Sequence, residues 1–303
     1  MTMLRDKVVV VTGAGGGIGR EFAIAFAAAG ASVVVNDIGA SLTGDPLDGT
    51  VAQRVVQEIT DAGGRAVANT DSVSDWSSAS RIIQTAIDTY GRIDAVVNNA
   101  GILRDKLLYK MSVEEWKAVI DVHLNGAFYM SRAALPLFRE QESGAMINIV
   151  STSGLIGNIG QGNYAAAKMG VVAISRTIAN EMARYKVRSN CIAPFAWSRM
   201  ISSIPTDTPE QRSRVDNLKK MEASQIAPLA VYLASERAAD VTGQIFCVRA
   251  NEIFVMSQSR PLRSVHRGEG WTPETVASHA IPALRAHFYG LDKSVDVFTW
   301  DPI

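Results

Sequence analysis

Val8-Val9-Val10-Val11-Thr12-Gly13-Ala14-Gly15-Gly16-Gly17-Ile18-Gly19 joins a β-branched run to a glycine cluster. A continuous apolar run of this kind fits a strand buried on both faces. Residues 20–29 continue with helical character, and Gly30 supplies the stop. Strand, glycine turn and helix in that order put Gly13, Gly17, Ile18 and Gly19 at a helix N-terminus. Backbone amides and the helix dipole can receive a phosphate there, and glycine lets the main chain approach it.

The same alternation runs outward through the chain. Strands are expected at 32–35, 65–69, 94–98, 145–150, 187–192 and 244–248. Helices are expected at 50–62, from the N-cap Ser74 to Tyr90, at 163–183 and at 222–234. Gly63-Gly64 and Gly91 are helix stops. Ser112 with Glu115 three residues on makes a capping box for a long helix reaching about residue 138. Residues 39–49 are turn-rich. Continuous apolar strands alternating with helices predict an α/β fold: a Rossmann-type, doubly wound parallel sheet with helices on both faces. Two stretches break the rhythm. Residues 194–221 are irregular and polar. Residues 249–303 extend past the last expected strand and include a helix-like 273–288 that carries Pro282. No linker separates this extension, so one domain (1–250) with a packed extension (251–303) is expected.

Asp37 ends the second strand about 20 residues after the glycines, where a carboxylate bonds ribose hydroxyls and repels a 2′-phosphate. Gly16 occupies the turn where a base could seek that phosphate. Both features favour NAD over NADP. Asp71-Ser72 follows the third strand and Asn98-Asn99-Ala100-Gly101 the fourth, at the carboxyl ends where such sheets bind ligands. Asn-Asn-Ala-Gly is also ordinary turn chemistry.

Tyr164 and Lys168 stand four residues apart in Tyr-Ala-Ala-Ala-Lys, with Ser151 thirteen residues upstream. Positions i and i+4 share a helix face. A phenol ordinarily titrates near pH 10, and an adjacent ammonium favours its ionised form. Ser151 adds a neutral hydroxyl that can hold a reacting oxygen. The group is suited to moving a proton on or off an alcohol while another species takes its hydride.

The chain has 303 residues and a formal net charge of zero. No basic excess would draw a nucleic acid. Cys191 and Cys247 have no zinc or redox spacing and read as buried thiols in a reducing compartment. No apolar run is long enough to span a bilayer. The start lacks a secretory signal, and the end, Trp-Asp-Pro-Ile, lacks a lipidation or peroxisomal motif. The expected location is cytoplasmic.

Taken together, Thr-Gly-x-x-x-Gly-x-Gly at 12–19, Asp37, Asp71, Asn-Asn-Ala-Gly at 98–101, Ser151 and Tyr164-x-x-x-Lys168 resemble the short-chain dehydrogenase/reductase family in order and spacing. Agreement covers roughly residues 4–250. Within the family the chain is most similar to the (3R)-hydroxyacyl-CoA dehydrogenase part of peroxisomal multifunctional enzyme type 2, and to bacterial relatives acting on steroids and their acyl-CoA side chains. Residues 33–39, 66–73, 98–105, 122–126, 157–164 and 198–200 carry that similarity. The resemblance implies that Tyr164 accepts the alcohol proton, that Ser151 orients the substrate oxygen, and that Lys168 lowers the Tyr164 pKa and holds the nicotinamide ribose. Gly13, Gly17, Ile18, Gly19, Asp37, Asp71, Ser72, Asn99, Ala100 and Gly101 would line the cofactor. His123 stands where the family has an Asn whose main chain anchors a relay water. It reads either as part of that relay or as helix packing.

The chain departs from the family after the sixth strand. Pro194-Phe195-Ala196-Trp197-Ser198-Arg199 lacks the usual Gly and carboxamide-clamping Thr, and Arg249-Ala250-Asn251 replaces an acidic–glycine pair. Phe195, Trp197, Met200, Ile201 and Ile204 fit an apolar pocket or loop packing. Arg199, Arg212, Arg214, Lys219 and Lys220 fit CoA phosphates or a solvated face, as do Arg260, Arg263, His266 and Arg267 in the extension. The leading expectation is an NAD-dependent dehydrogenase of a (3R)-hydroxyacyl-CoA. A hydroxysteroid is the alternative substrate, and a non-catalytic nucleotide sensor is a remote third reading that the intact triad opposes. The family also implies a homodimer or homotetramer.

Overall fold

The computed structural model describes residues 3–41, 43–45, 50–196, 208, 212, 215, 216 and 218–302. Eight strands form one sheet: β1 Val8–Thr12, β2 Ser32–Asn36, β3 Arg65–Asn69, β4 Ala95–Asn98, β5 Gly144–Ile149, β6 Val187–Phe195, β7 Ile245–Arg249 and β8 Glu252–Val255. Their order is β3-β2-β1-β4-β5-β6-β7-β8. Every pairing from β3 through β7 is parallel, and β8 joins β7 antiparallel. All residues of β1, β2, β4 and β5 are buried, as their unbroken apolar runs require.

Helices cover both faces. On one lie α1 (Gly17–Ala28), α2 (Val51–Asp61) and, near the end of the domain, Ala227–Ala234. Their Phe22, Phe26, Val55, Ile59 and Leu233 pack on Val9, Val11, Val33 and Val35. On the other lie α3 (Trp76–Tyr90), α4 (Val113–Ile120), α5 (Gly126–Gln141), α6 (Thr152–Leu155) and α7 (Gly162–Glu181). Ile82, Met130, Phe138 and Ile178 from this group meet Val10, Val34 and Val96. The winding direction reverses between β1 and β4. The crevice at their carboxyl ends is where a ligand of such a sheet binds.

Several expectations need correction. The cap of α3 is Asp75, whose carboxylate accepts from Ser78 N at 2.8 Å; the Ser74 hydroxyl is instead 2.8 Å from that of Ser72. The Ser112–Glu115 capping box is present. The long helix after it is split, however, by a five-residue π-helical turn, Asp121–Asn125, with His123 at its centre. The helix-like 273–288 is broken into short pieces, with Pro282 in the first turn of Ile281–Leu284. A final strand, β8, lies beyond the last one expected. Only every second residue of Glu252–Val255 faces the protein, so it shows no continuous apolar run. Most of 194–221 lies outside the described residues, including Trp197, Arg199, Met200, Ile201, Ile204 and Arg214. Among the described residues, no helix is long and apolar enough to cross a membrane.

Candidate active site

The glycine turn is held from below by Thr12. Its hydroxyl accepts from the amides of Asn99 and Ala100, each at 3.1 Å. Asn99 returns its side-chain amide to the carbonyls of Thr12, at 2.9 Å, and Gly13, at 3.1 Å. The loops after β1 and β4 are thus one unit. Gly13 and Gly19 sit against backbone: a Cβ on Gly13 would lie 2.8 Å from Ala100 Cα, and one on Gly19 2.1 Å from Gly13 O. Gly17, with φ +53°, has open space where its Cβ would be. That leaves main chain free for a phosphate to approach.

Asp37 closes the other side of this turn. Its carboxylate accepts from Gly15 N and from Gly39 N, both at 2.8 Å. Two amide donors fix it at the β2 terminus, beside the turn. Asp71 is oriented differently. Its carboxylate accepts from Arg81 and, at 3.0 Å, from Asn69 Nδ2, so its charge is engaged by α3. Ser72 Oγ is taken up with Ser74.

Ser151 ends the extended chain after β5 and caps α6, accepting from Ser153 N at 3.1 Å. That bond uses an acceptor lone pair, and the hydroxyl also hydrogen-bonds the Tyr164 phenol. Tyr164 and Lys168 lie in the first turns of α7, with the ammonium 5.5 Å from the centre of the phenol ring. Lys168 Nζ donates to Ile149 O at 2.6 Å. The electrostatics differ from the sequence expectation. Burial pushes the Tyr164 phenol up to about 12; Ser151 works against the rise and Asp105 adds to it. Burial also brings Lys168 down to about 7. Within the protein alone, desolvation outweighs the Ser151 hydrogen bond, and the phenol keeps its proton.

His123 is buried, brought inward by the π-helical turn. Nε2 lies 3.0 Å from Ile102 N and 2.8 Å from Ile102 O, while Nδ1 has no protein partner. Burial, and then the Lys168 charge, bring it down to about 3, so the imidazole is neutral. His123, Asn98, Thr12 and Lys168 line a small cavity of about 10 Å³, with Asn98 Oδ1 also unpartnered. That is roughly the room one water needs. The structure thus gives the His123 side chain both packing and a polar face toward Lys168.

Other groups were not singled out from the sequence. Asn163 is fully buried and donates to the carbonyls of Arg104, at 3.1 Å, and Glu115, at 3.2 Å, fixing the start of the Tyr164 helix. Ser153 Oγ donates to Gln161 Oε1 at 2.7 Å, and Gln161 Nε2 to Asp105 at 2.8 Å. Amides and hydroxyls with partners this distant leave no pattern along the chain; the only signal for Asn163 was its place beside Tyr164. The basic residues weighed for CoA include Lys219, which pairs with Asp216, and Arg267, which pairs with Glu269. Cys191 and Cys247 are buried free thiols, and burial raises them to about 11 and about 12.

The family model for short chain dehydrogenases matches residues 7–203. The chain is 37% identical to the hydroxyacyl-CoA dehydrogenase ChsB1 of Mycobacterium tuberculosis, over 96% of this chain and 91% of that protein. It is 41% identical to the peroxisomal multifunctional enzyme type 2 of Mus musculus, over 89% of this chain. The match spans 35% of that longer mouse protein. A crystal structure of a short chain dehydrogenase from Mycobacterium avium superposes with a TM-score of 0.83 at 42% identity, covering 95% of this chain and 97% of that one. The chain therefore belongs to the short-chain dehydrogenase/reductase family and is an oxidoreductase acting on CH–OH groups.

Proposed function

We propose that the protein is an NAD-dependent dehydrogenase that interconverts a secondary alcohol and a ketone, with (3R)-3-hydroxyacyl-CoA and 3-oxoacyl-CoA as the favoured pair. The observation that carries this reading is the meeting of Ser151, Tyr164 and Lys168 beside the phosphate-ready turn closed by Asp37. The residues fit a dinucleotide: Gly17 leaves backbone open, and Asp37 is fixed where it would accept from ribose hydroxyls and repel a 2′-phosphate. When bound, the nicotinamide supplies the hydride acceptor or donor. The name of ChsB1, a hydroxyacyl-CoA dehydrogenase, favours acyl-CoA over a steroid.

The protein's own share of the reaction is proton movement and orientation. Ser151 would turn its hydroxyl hydrogen from the Tyr164 phenol to the substrate oxygen. Tyr164 exchanges a proton with the same oxygen. Its buried phenol is neutral and therefore ready to donate to a ketone; alcohol oxidation draws on the phenolate, which a cation at the site favours. Lys168, held by Ile149 O, would hold the nicotinamide ribose, and it lines the His123 cavity, which has room for one relay water. Phe128 on α5 and Met169 on α7 are exposed apolar side chains, which supports association with further copies as a dimer or tetramer. A cytoplasmic location remains the simplest reading of the two reduced thiols.

The test is Tyr164→Phe, assayed with NAD and a (3R)-3-hydroxyacyl-CoA. Turnover should fall by roughly 10²–10⁴, as for loss of a general acid–base group, with NAD binding retained. Unchanged turnover would refute the role of Tyr164. Equal rates on a short thioester analogue would remove the CoA assignment, and faster turnover of a hydroxysteroid would replace it.

A further inference from the structure

The loop between Ser151 and Tyr164 leaves α6 at Leu155 and enters α7 at Gly162. Its conformation is special at Gly157, φ +137°, and Gly160, φ +82°, both in the region that favours glycine. Two separate parts of the chain hold it. The stretch after β4 grips its far end: Lys106 N donates to Gly160 O at 2.8 Å, and Asp105 accepts from Gln161. The C-terminal extension grips its near end. Ser294 N donates to Gly157 O at 3.2 Å across 137 residues of sequence, and Ser294 is 4% exposed.

Ser294 opens a helical turn, Ser294–Val297, so its N–H has no acceptor within that turn. The Gly157 carbonyl supplies one. The turn is anchored immediately afterwards. Phe298 packs edge-on to Phe195 at the end of β6, 5.0 Å between centroids, and to Phe254 of β8, 5.4 Å. Trp300 donates from Nε1 to Glu252 at 2.7 Å. The buried Arg249 lies over its ring at 5.4 Å and donates to its carbonyl. The replaced residue Arg249 and the extra strand β8 thus both serve to fasten the last residues of the extension. One short segment is bonded to the loop between the Ser151 and Tyr164 elements and to the end of β6, where the irregular stretch begins.

We infer that Ser294–Trp300 is a C-terminal latch, a positioning segment that holds the Gly157 loop as the outer wall of the alcohol site and so sets how extended a substrate the site accepts. The statement about substrate rests on the dehydrogenase reading; the statement about the loop does not. The latch requires the extension to pack on the same domain as the catalytic residues.

Ser294→Pro tests it with little collateral change. Proline is well tolerated in the first position of a helical turn, and it removes the one N–H that reaches Gly157. Ser294→Ala keeps that N–H and loses only the longer contact from Oγ to the same carbonyl, 3.5 Å, so it is the milder comparison. In the full-length protein, amide hydrogen exchange over 156–160 should be at least tenfold faster in Ser294→Pro than in wild type, and should change far less in Ser294→Ala, which loses only the longer Oγ contact. KM for a long-chain 3-hydroxyacyl-CoA should rise at least fivefold in Ser294→Pro. NAD affinity and the rate on a small secondary alcohol should hold. Phe298→Ala, which loosens the anchor without touching the bond, should repeat the pattern and serves if the proline variant fails to fold. Wild-type exchange in both Ser294→Pro and Phe298→Ala overturns the latch. So does faster exchange with an unchanged KM. If wild-type protein turns over no alcohol at all, the functional reading fails, while the exchange result still decides whether the segment holds the loop.

Discussion

His123 meets Tyr164 edge to face, with ring centroids 5.1 Å apart and planes at 87°. The contact places a neutral imidazole against the phenol proposed here for proton exchange. Burial keeps His123 neutral down to about 3, so the cation next to the phenol is Lys168, itself brought down to about 7. Two consequences for pH follow from groups that were adjacent only in the fold.

The first concerns acid. His123 is depressed from its usual 6.5 to about 3, so between those values the unfolded chain binds a proton that the folded chain refuses. Stability contributed at this site is therefore intact above pH 6.5 and is lost as pH falls toward 3. Asn at this position offers both a donor and an acceptor to Ile102, where Nε2 alone must face both its N–H and its carbonyl. His123→Asn should leave stability near pH 7 within about 1 kcal/mol and flatten the decline between pH 6.5 and 4. Urea unfolding at several pH values measures it. An acid limb as steep as wild type would show that His123 is not the group responsible.

Lys168 gives the second. Its folded value near 7 lies below the usual 10.5, so the unfolded chain again holds the extra proton, now between pH 7 and 10.5. The cost of burying the ammonium is fully present below pH 7 and fades as pH rises through that window. Lys168→Met keeps the apolar stem and loses the charge. Its stability relative to wild type should be highest at pH 6.5 and should decline steadily by pH 9.5, while activity is abolished throughout. A pH-independent difference would mean that the Ile149 bond, not the charge, dominates the site.

Gly101 explains how the His123 ring is held. A Cβ there would lie 2.3 Å from His123 Cε1. Gly101→Ala must push the imidazole off its contact with Tyr164, and overpacking of this kind costs about 1–3 kcal/mol. Adding His123→Ala should remove most of that penalty, since the obstructing ring is gone. A double-mutant cycle by chemical denaturation reads the coupling, and additive effects would place the clash elsewhere.

The succession of strands along the chain was legible because most are short, largely apolar runs with a glycine or polar stop. The carboxyl-end position of Gly13, Asn99 and Ser151 followed from that order. What escaped depended on distance or on competition. The π-helical turn at His123 has no marker in a helix of ordinary composition. Asp75 rather than Ser74 is the cap because the helix begins one residue later and Ser74 is taken up with Ser72. β8 alternates inward and outward residues and so lacked the continuous pattern of its neighbours. The Tyr164 phenol was read from its neighbour in sequence, Lys168, whereas burial, which only the fold reveals, moves it the other way.

Asp37 offers the sharpest test of cofactor choice. Its carboxylate is fixed by Gly15 N and Gly39 N, so it cannot swing aside for a 2′-phosphate, and a Cβ on Gly15 would come within 2.8 Å of Asp37 Oδ2. Ser in its place removes the charge while keeping a small acceptor for the turn. Asp37→Ser should lower the ratio of kcat/KM for NAD over NADP by at least tenfold, a change of about 1.4 kcal/mol in relative transition-state binding. Most of the shift should come from loss of NAD affinity, with a smaller gain for NADP, because no basic side chain stands at Gly16 to receive the phosphate. The measurement is steady-state kinetics with both dinucleotides at saturating alcohol. An unchanged ratio would mean that the carboxylate serves only to close the glycine turn, and that selectivity resides in the loop that follows β2.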